Sequence, residues 1–468
     1  MARLHHKFGW IIDQLQCRKV GAALETMRRK NIRGISTDSR TIEPGEVFFA
    51  LKGDNFDGHQ HIGEALGKGA VAAVAEKTIR GRSAEQVLVV GDTLSSLGDL
   101  AGAILRKQGI KVVAVTGSNG KTTTKEMIAA IVRKRDQQAL ITQGNYNNLI
   151  GLPLTVFQLA RESRLAVLEM GMSGFGEIAR LVEIAEPDVG LITSVGAAHL
   201  EFFGKVSEVA KAKGEMYAGL KQSAIAVVNL DEALLVREAG KFSGNKLTFG
   251  FSGKADIRLG ALKDMGLKGQ RLTIFGPGSE KGIKVDLALL GGHNAHNALA
   301  ASAAALAAGS DWNEIKQGLE DVKPVPGRLM PQKTAGGIWL IDDSYNANPA
   351  SMAAGLRVLA SLKSSSYKGA ILGDMLELGE KSDRLHREIG SLAGELKLDF
   401  LALVGSKAEL IGRAAAKAGL NLKMIKVLET PEEAAEWSRK VAPKNSLILV
   451  KGSNGVGLKR AVASLRVS

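Results

Sequence analysis

Residues 111–123, KVVAVTGSNGKTT, carry the pattern that decides the fold. The first part is an apolar run rich in valine, which predicts a buried strand, and a helix is expected to begin at Lys121. Between them lie Gly117 and Gly120, which let the backbone turn tightly so that successive N–H groups converge on phosphate oxygens. A loop of this kind between a strand and a helix predicts an α/β domain that binds a phosphorylated nucleotide.

The side chains of the loop indicate how a nucleoside triphosphate would be bound. Lys121 would neutralise the β- and γ-phosphates, and the Thr122 hydroxyl would bind Mg²⁺. The pattern G-x-x-x-x-G-K-[ST] is met except at its first glycine, where this chain has Val115. ATP and GTP are not distinguished by the loop alone. The predicted phosphate contacts are Gly117, Ser118, Asn119, Gly120, Lys121, Thr122 and Thr123.

Strand-like and helix-like segments alternate after the loop. Apolar runs at residues 165–170, 189–195 and 224–230 predict further strands, with helical patterns between them. An alanine-rich helix is expected at residues 294–309. Alternation of buried strands with amphipathic helices predicts a parallel sheet that is covered on both faces.

The same alternation divides the chain into three α/β domains. The proline-marked segment VKPVPGRLMP gives the clearest boundary, and the segments GIWLIDD, KGAILGD, LDFLALVG, KMIKVL and SLILVKG after it predict a doubly wound, Rossmann-like sheet. Before the loop, short strands and a helix from about Ser95 to Lys107 predict a smaller α/β unit. The predicted domains are residues 1–106, the central P-loop domain 107–323 and the C-terminal domain 324–468.

Composition describes a globular protein with room for several cores. The chain has 468 residues, of which 45% are hydrophobic and 24% are charged, and this length favours about three domains. The formal net charge is +14, which fits either a generally basic surface or an anionic ligand. Aromatic residues make up only 4% and no basic tail is present, so nucleic acid is not expected as a partner.

The sequence gives no sign of export or of a membrane segment. Cys17 is the single cysteine, which excludes an intrachain disulfide. The first residues, MARLHHKFGWIIDQLQ, lack the uninterrupted apolar run of a signal peptide, and no segment approaches the ~20 apolar residues that span a bilayer. We expect a cytoplasmic protein without membrane insertion, acting as a monomer.

Extending the loop to TGSNGKTTTKEM, residues 116–127, gives a motif that resembles the ATP-binding loop of the Mur ligase family. Segments similar to other motifs of this family follow in the expected order, namely GNYNNLIGLPLT, LEMGMSGFGEIARL, SVGAAHLEFFG, AKAKGEMY, GGHNAHNALAA, VPGRL and LVKGS. The segments IDDSYNANPASM and ILGDMLELGE are more specific and favour a member that adds a dipeptide. The resemblance covers nearly the whole chain, including STDSR at residues 36–40.

The resemblance implies an ATP- and Mg²⁺-dependent ligase of bacterial cell-wall synthesis. ATP would phosphorylate the terminal carboxylate of UDP-N-acetylmuramoyl-tripeptide (UDP-MurNAc-tripeptide). The amine of D-alanyl-D-alanine (D-Ala-D-Ala) would then attack the acyl phosphate, and a tetrahedral intermediate would collapse to the pentapeptide amide. The alternatives are a related ligase that adds one amino acid, a ligase that adds glutamate to folate, and a P-loop ATPase or kinase.

The resemblance also gives roles to residues near the metal. Glu169 ends a predicted strand at the edge of the sheet where the loop lies, and it would bind Mg²⁺ with Thr122. His199 would lie at a second metal. Lys213 matches a lysine that CO₂ carbamoylates in the family, and Lys211 is the neighbouring alternative.

Further residues are expected to bind the nucleotide. Asn294 and Asn297 are three residues apart on one face of a helix, and their amides can both donate to and accept from the adenine edge. Arg328 would reach the γ-phosphate. Asp343 would accept from the ribose hydroxyls, with Asp342 as the alternative. Since three domains would hold three substrates, the C-terminal domain is expected to close about the segment that precedes Arg328.

The remaining candidates concern the other two substrates. One group precedes the central domain, one lies in the loop before a predicted helix, and one lies after the first two predicted strands of the C-terminal domain. For the first group, a structural role in a turn explains the residues nearly as well. They are Ser36, Asp38, Ser39 and Arg40 for the UDP-linked precursor, Asn145 and Asn148 for the phosphates or that precursor, and Asn346, Asn348 and residues 374–377 for the dipeptide.

Overall fold

Three α/β units follow one another in the computed structural model, which describes residues 6–53, 55–197 and 200–466. Each unit is built on its own sheet, and we refer to them as the first, second and third unit. Within the described ranges, no helix combines the length and the apolar character that crossing a bilayer requires.

The first unit is a small sheet with helices packed against it. Its strands are β1 (Lys19–Val20), β2 (Gly34–Ser36), β3 (Glu46–Phe49), β4 (Lys52–Gly53), β5 (Phe56–Asp57), β6 (Ala72–Ala75) and β7 (Val87–Val89). Its helices are α1 (Phe8–Gln14), α2 (Ala22–Glu25), α3 (Ile62–Gly67) and α4 (Thr93–Gln108), with 3₁₀ helices at Gly58–His61 and Arg82–Gln86. The main sheet has the order β1-β7-β6-β3-β2, parallel except for β1, while β4 and β5 form a separate hairpin.

The second unit contains a nine-stranded mixed sheet. Its strands are β8 (Lys111–Thr116), β9 (Leu140–Ile141), β10 (Leu165–Glu169), β11 (Val189–Ile192), β12 (Ile225–Asn229), β13 (Asn245–Gly250), β14 (Ile257–Asp264), β15 (Gln270–Gly276) and β16 (Ser279–Leu287). Its helices are α5 (Lys121–Val132), α6 (Gly151–Val156), α7 (Glu177–Ala185), α8 (Leu200–Phe203), α9 (Val206–Ala218), α10 (Ala233–Ala239), α11 (Gly292–Ala307) and α12 (Trp312–Asp321), with a 3₁₀ helix at Gly266–Lys268.

The strand order explains where a site can form in this unit. The order is β16-β15-β14-β13-β12-β11-β8-β10-β9, so β8, which leads into the glycine-rich loop, lies between β10 and β11. In this spatial order, the seven strands from β14 to β9, including β8, are parallel. This confirms the predicted parallel sheet for this part of the unit. The antiparallel pairs β14–β15 and β15–β16 are not predicted by the apolar pattern. In β15 buried and less buried residues alternate, as expected for a sheet with one face towards solvent.

The third unit is a six-stranded sheet. Its strands are β17 (Met330–Lys333), β18 (Trp339–Asp343), β19 (Lys368–Gly373), β20 (Phe400–Val404), β21 (Ile425–Leu428) and β22 (Leu447–Lys451). Its helices are α13 (Pro349–Ser361), α14 (Ser382–Glu395), α15 (Ala408–Lys417), α16 (Pro431–Val441) and α17 (Lys459–Arg466), with 3₁₀ helices at Gly379–Lys381, Leu422–Met424 and Asn454–Val456. In the order β17-β18-β22-β19-β20-β21 only β17 is antiparallel, so the doubly wound prediction is confirmed for the five expected strands.

Helix α4 connects the first unit to the second. The Asp92 side chain accepts a hydrogen bond from the backbone N–H of Ser95 at 2.6 Å and thereby caps the helix. Gly109, at φ +63°, ends it. The helix contacts α1 of its own unit and both α6 and α7 of the second. The domain boundary proposed at residue 106 therefore falls in its last turn, and the division itself stays a prediction.

Candidate active site

A cavity of about 660 Å³ lies where the glycine-rich loop meets the third unit. The loop follows β8, and the carboxyl ends of parallel strands are where α/β proteins place their ligands. Six of the seven predicted phosphate contacts line this cavity, which we call the central cavity. They are Ser118, Asn119, Gly120, Lys121, Thr122 and Thr123.

The loop has a backbone that suits phosphate binding. Gly117 and Gly120 have φ angles of +150° and +82°, and a Cβ atom on Gly120 would lie 2.3 Å from Asn297 Oδ1. Lys121 Nζ donates to the carbonyl of Gly117 at 2.6 Å, so the ammonium lies across the loop. Desolvation lowers the pKa of Lys121. An anionic phosphate at this position would favour the charged form again.

Glu169 and Thr122 both line the central cavity, and both carry oxygen atoms of the kind that Mg²⁺ prefers as ligands. Glu169 is only 2% exposed, and its Oε1 accepts a hydrogen bond from Asn147 Nδ2 at 2.9 Å. Its Oε2 is buried with no hydrogen-bond partner among the described residues, which is unfavourable unless a cation binds there. Mg²⁺ typically takes one or two carboxylates together with phosphate oxygens and water. His199, predicted at a second metal, lies outside the described residues, so its place stays a prediction.

The two candidate lysines on α9 have different surroundings. Lys213 is 2% exposed, and desolvation, with a further contribution from the charge of Lys121, holds its pKa well below the ordinary value. Lys211 has a half-exposed side chain that pairs with Glu208 at 2.8 Å. A neutral amine is the form that reacts with CO₂, so the surroundings of Lys213 are compatible with carbamoylation, which stays a prediction.

Asn294 and Asn297 face the cavity together, as their spacing predicts. Both are buried. Asn297 Nδ2 donates to Asn294 Oδ1 at 2.9 Å, and Asn294 Nδ2 donates to the carbonyl of Leu290 at 2.8 Å. The pair therefore supports the loop at Gly120, where Asn297 Oδ1 lies, and its contact with adenine stays a prediction.

The third unit contacts the loop directly. Arg328 Nη2 lies 3.4 Å from Thr122 Oγ1, and its guanidinium stacks on the ring of Tyr345 with 4.2 Å to the ring centre. Asn348 Nδ2 donates to Asn119 Oδ1 at 2.8 Å. These contacts place residues of the second and third units together around the central cavity, while the expected closure of the C-terminal domain stays a prediction.

Asp343, rather than Asp342, lines the central cavity. Its Oδ2 forms a buried ion pair with Lys451 Nζ at 2.7 Å, and its Oδ1 accepts from the backbone N–H of Leu329 at 3.3 Å. Asp342 instead accepts from the backbone N–H of Gly327 at 3.2 Å. Lys451 was not predicted, although a lysine at the end of the apolar strand β22 is a signal that could have found it.

The loop after β9 brings a different asparagine to the site than the two expected. Asn147 lines the central cavity and bonds Glu169, whereas Asn145 is exposed and Asn148 is also at the surface. The Asn148 side chain accepts a hydrogen bond at 2.8 Å from the backbone N–H of Gly151, the first residue of α6. Neither Asn145 nor Asn148 lines the central cavity, and the expectation that they face the phosphates stays a prediction. Their contact with the UDP-linked precursor stays a prediction.

The candidates of the first unit form a turn after β2. The Asp38 carboxylate accepts from Arg40 Nη2 at 2.7 Å, and this hydrogen bonding lowers the pKa of Asp38 to about 2. Ser36 Oγ accepts from the backbone N–H of Asp38 at 3.2 Å, and Ser39 Oγ donates to Glu64 at 3.0 Å. Arg40 remains 82% exposed. The residues thus stabilise their own turn, and their contact with the precursor stays a prediction.

The candidates for the dipeptide lie in two places. Asn346 and Asn348 line the central cavity. In the turn at residues 374–377, the Asp374 carboxylate accepts from the backbone and the hydroxyl of Ser406 at 2.7 and 3.0 Å. Glu377 has φ +61°, and its carbonyl accepts a hydrogen bond from the backbone of α8 at 3.2 Å. This turn therefore also contacts the second unit.

Comparison with known proteins gives the family. Three family models match in succession: "Mur ligase family, catalytic domain" at residues 31–135, "Mur ligase middle domain" at 115–305 and "Mur ligase, glutamate ligase domain" at 327–454. A Haemophilus influenzae protein named UDP-N-acetylmuramoyl-tripeptide–D-alanyl-D-alanine ligase is 36% identical over 441 residues, which cover 93% of this chain and 94% of that protein. The chain belongs to the Mur ligase family.

Other Mur ligases are similar over comparable lengths. The protein of the same name from Escherichia coli is 36% identical and covers 92% of this chain, with 93% of its own length matched. The crystal structure of MurF from Acinetobacter baumannii is 32% identical with a TM-score of 0.89 and matches 100% of both chains. A Thermotoga maritima MurF ligase in complex with ADP is 31% identical with a TM-score of 0.82, covering 93% of this chain and 97% of that one. The predicted three-domain α/β fold is thereby confirmed.

Proposed function

We propose that this Mur ligase joins D-Ala-D-Ala to UDP-MurNAc-tripeptide, with conversion of ATP to ADP and phosphate, in the synthesis of the peptidoglycan precursor. The observation that carries the proposal is the central cavity. It contains the cation Lys121, the unpartnered Oε2 of Glu169 and Arg328 of the third unit. The names of similar proteins supply the two substrates.

The reaction needs the cations that surround this cavity. A carboxylate is a poor acyl donor because its leaving group would be oxide, and phosphorylation turns that oxygen into a phosphate leaving group. ATP and a carboxylate repel each other, so fixed cationic donors must hold them together. Lys121 binds the β- and γ-phosphates, and Arg328 uses its fork of N–H donors on the γ-phosphate.

Glu169 and Thr122 are the residues that would hold Mg²⁺. When bound, the ion neutralises phosphate charge and polarises the phosphoryl group, which stabilises the transition state by several kcal/mol. The free Oε2 of Glu169 supports this assignment. His199 is proposed for a second metal on the resemblance alone.

Lys213 is proposed to be carbamoylated. Its burial and lowered pKa keep the amine neutral and nucleophilic towards CO₂. The product is an anion, which would turn a buried amine beside Lys121 into an attractive partner for that cation. The charge of Lys121, which opposes protonation of Lys213, would favour the carbamate.

The remaining proposals assign residues to the nucleotide, the precursor and the dipeptide, and assign a substrate to each domain. Asn294 and Asn297 are proposed at the adenine, and Asp343 at the ribose. The predicted boundaries give a precursor-binding domain at residues 1–106, an ATP-binding domain at 107–323 and a C-terminal domain at 324–468. The proposed substrate contacts are Ser36, Asp38, Ser39, Arg40, Asn145 and Asn148 for the precursor, and Asn346 and Asn348 for the dipeptide.

Substrate selectivity tests the proposed function. With ATP, Mg²⁺ and UDP-MurNAc-tripeptide, we expect the purified protein to form the pentapeptide product when D-Ala-D-Ala is supplied. Free D-alanine, L-lysine and D-glutamate should give no detectable product, measured as the mass of the UDP-linked species. Efficient addition of a single amino acid would instead indicate another activity of the family. Release of phosphate without any amine would indicate an ATPase.

A further inference from the structure

We infer that Lys125 and Thr142 are positioning residues that hold the Glu169 carboxylate in register with Thr122. Neither residue lines the central cavity. The inference rests on the proposed function in one respect, since it assumes that Glu169 and Thr122 bind the same Mg²⁺.

Lys125 is a buried cation that the reaction does not use. It lies on α5, the helix that begins at Lys121, and it is 1% exposed. Its Nζ donates to the carbonyl of Thr142 at 2.7 Å and lies 2.7 Å from Glu126 Oε1. Removing a lysine from water is unfavourable, and an apolar side chain would fill the same space without that penalty. The burial of the Lys125 ammonium therefore indicates that this group has a specific structural role.

Thr142 extends the contact between β9 and β10 beyond the last residue of β9. Strand β9 pairs with β10 only through Leu140 and Ile141, opposite Ala166 and Val167. The backbone N–H of Glu169 lies beyond this ladder, and it donates to Thr142 Oγ1 at 3.0 Å. Thr142 is fully buried, so no water competes for that hydroxyl. On the β9 side of β10, the Thr142 side chain takes the place of the strand partner that β9 does not provide at Glu169.

Together these contacts connect the two halves of the metal site. Thr122 is on α5, and Glu169 is on β10. Lys125 fixes α5 to the end of β9, and Thr142 fixes that end to the backbone of Glu169. Mg²⁺ requires nearly ideal octahedral geometry with oxygens at about 2.0–2.1 Å. A shift of the strand relative to the helix would therefore weaken metal binding even though neither metal ligand is changed.

The test measures the affinity for ADP with Mg²⁺ and with EDTA by isothermal titration calorimetry. The ratio of the two affinities is the gain due to the metal, and it requires no turnover. Thr142→Val keeps the shape but removes the hydroxyl, and it should reduce this gain about tenfold or more, as is typical when residues that support metal ligands are lost. The affinity in EDTA should not change. Thr142→Ser retains the hydroxyl and should restore the wild-type gain.

Two further variants make the result specific. Lys125→Met should reduce the gain like Thr142→Val, because it removes the other contact of the same connection. Thr155→Val is the matched control: Thr155 is 1% exposed, and its hydroxyl bonds the carbonyl of Gly151 within α6 at 2.9 Å. This control should keep the full gain. Circular dichroism and thermal unfolding establish folding, and Thr142→Ala replaces Thr142→Val if the valine variant does not fold.

The outcomes separate this inference from the proposed function. A folded Thr142→Val, Thr142→Ala or Lys125→Met protein with an unchanged gain overturns the positioning role. An equal loss in Thr155→Val also overturns it, because the effect would then be general loosening. If wild-type protein binds ADP equally well with Mg²⁺ and with EDTA, the proposed metal site itself fails. If wild-type protein does not bind ADP, the proposed nucleotide site fails.

Discussion

Replacing Lys121 with alanine is expected to abolish turnover, with a loss of about a thousandfold or more. Lys121 is the cation at the start of α5, and its ammonium lies across the glycine-rich loop at 2.6 Å from the carbonyl of Gly117. Without it, the negative charge that develops on the transferred phosphoryl group loses one of the fixed protein cations of the central cavity. The rate of phosphate release with all substrates present measures the effect.

A matched lysine variant serves as the control for this prediction. Lys417 is an exposed residue at the end of α15 in the third unit, so Lys417→Ala should keep wild-type activity. Thermal unfolding of both variants shows whether the fold is retained. A folded Lys121→Ala protein with activity close to wild type would show that the glycine-rich loop does not hold the reacting phosphates.

Replacing Lys213 with alanine should also abolish turnover, but for a different reason. The substitution removes the amine that is proposed to become a carbamate, and it leaves a space in the buried interior next to α9. A small carboxylic acid, such as formate or acetate, can enter that space and supply the missing anion. We therefore expect partial recovery of phosphate release when the acid is added to the variant.

The adjacent lysine on the same helix provides the control. Lys211 pairs with Glu208 at the surface, and Lys211→Ala should be active and insensitive to the added acid. An active Lys213→Ala protein, or an inactive Lys211→Ala protein, would show that the modification was assigned to the wrong lysine. Loss of activity in Lys213→Ala without any recovery would favour a role in packing.

Much of the fold could be predicted because its signals are local. Strand β8 and helix α5 are encoded by an apolar run, a glycine-rich loop and a helical pattern that follow each other without interruption. Glu169 could be placed at the site because it ends an apolar strand, and parallel strands end at a common edge. The antiparallel strands β14 to β16 lack a continuous apolar run, so their pairing had no comparable signal.

The parts of the site that were missed depend on contacts between distant residues. In the loop after β9, composition alone does not decide which asparagine turns inward, and the structure selects Asn147 through its bond to Glu169. Lys451 ends an apolar strand, but its partner Asp343 becomes evident only when β22 lies beside β18. Lys125 resembles any lysine in a helix until the end of β9 is packed against it.

The fate of one carboxylate oxygen tests the proposed chemistry most directly. UDP-MurNAc-tripeptide labelled with ¹⁸O in its terminal carboxylate is converted with ATP, Mg²⁺ and D-Ala-D-Ala, and the released phosphate is analysed by mass spectrometry. If the carboxylate is phosphorylated in the central cavity, each phosphate should carry one ¹⁸O atom from the precursor. Release of unlabelled phosphate, with both labelled oxygens still on the precursor, would contradict activation of the carboxylate by ATP.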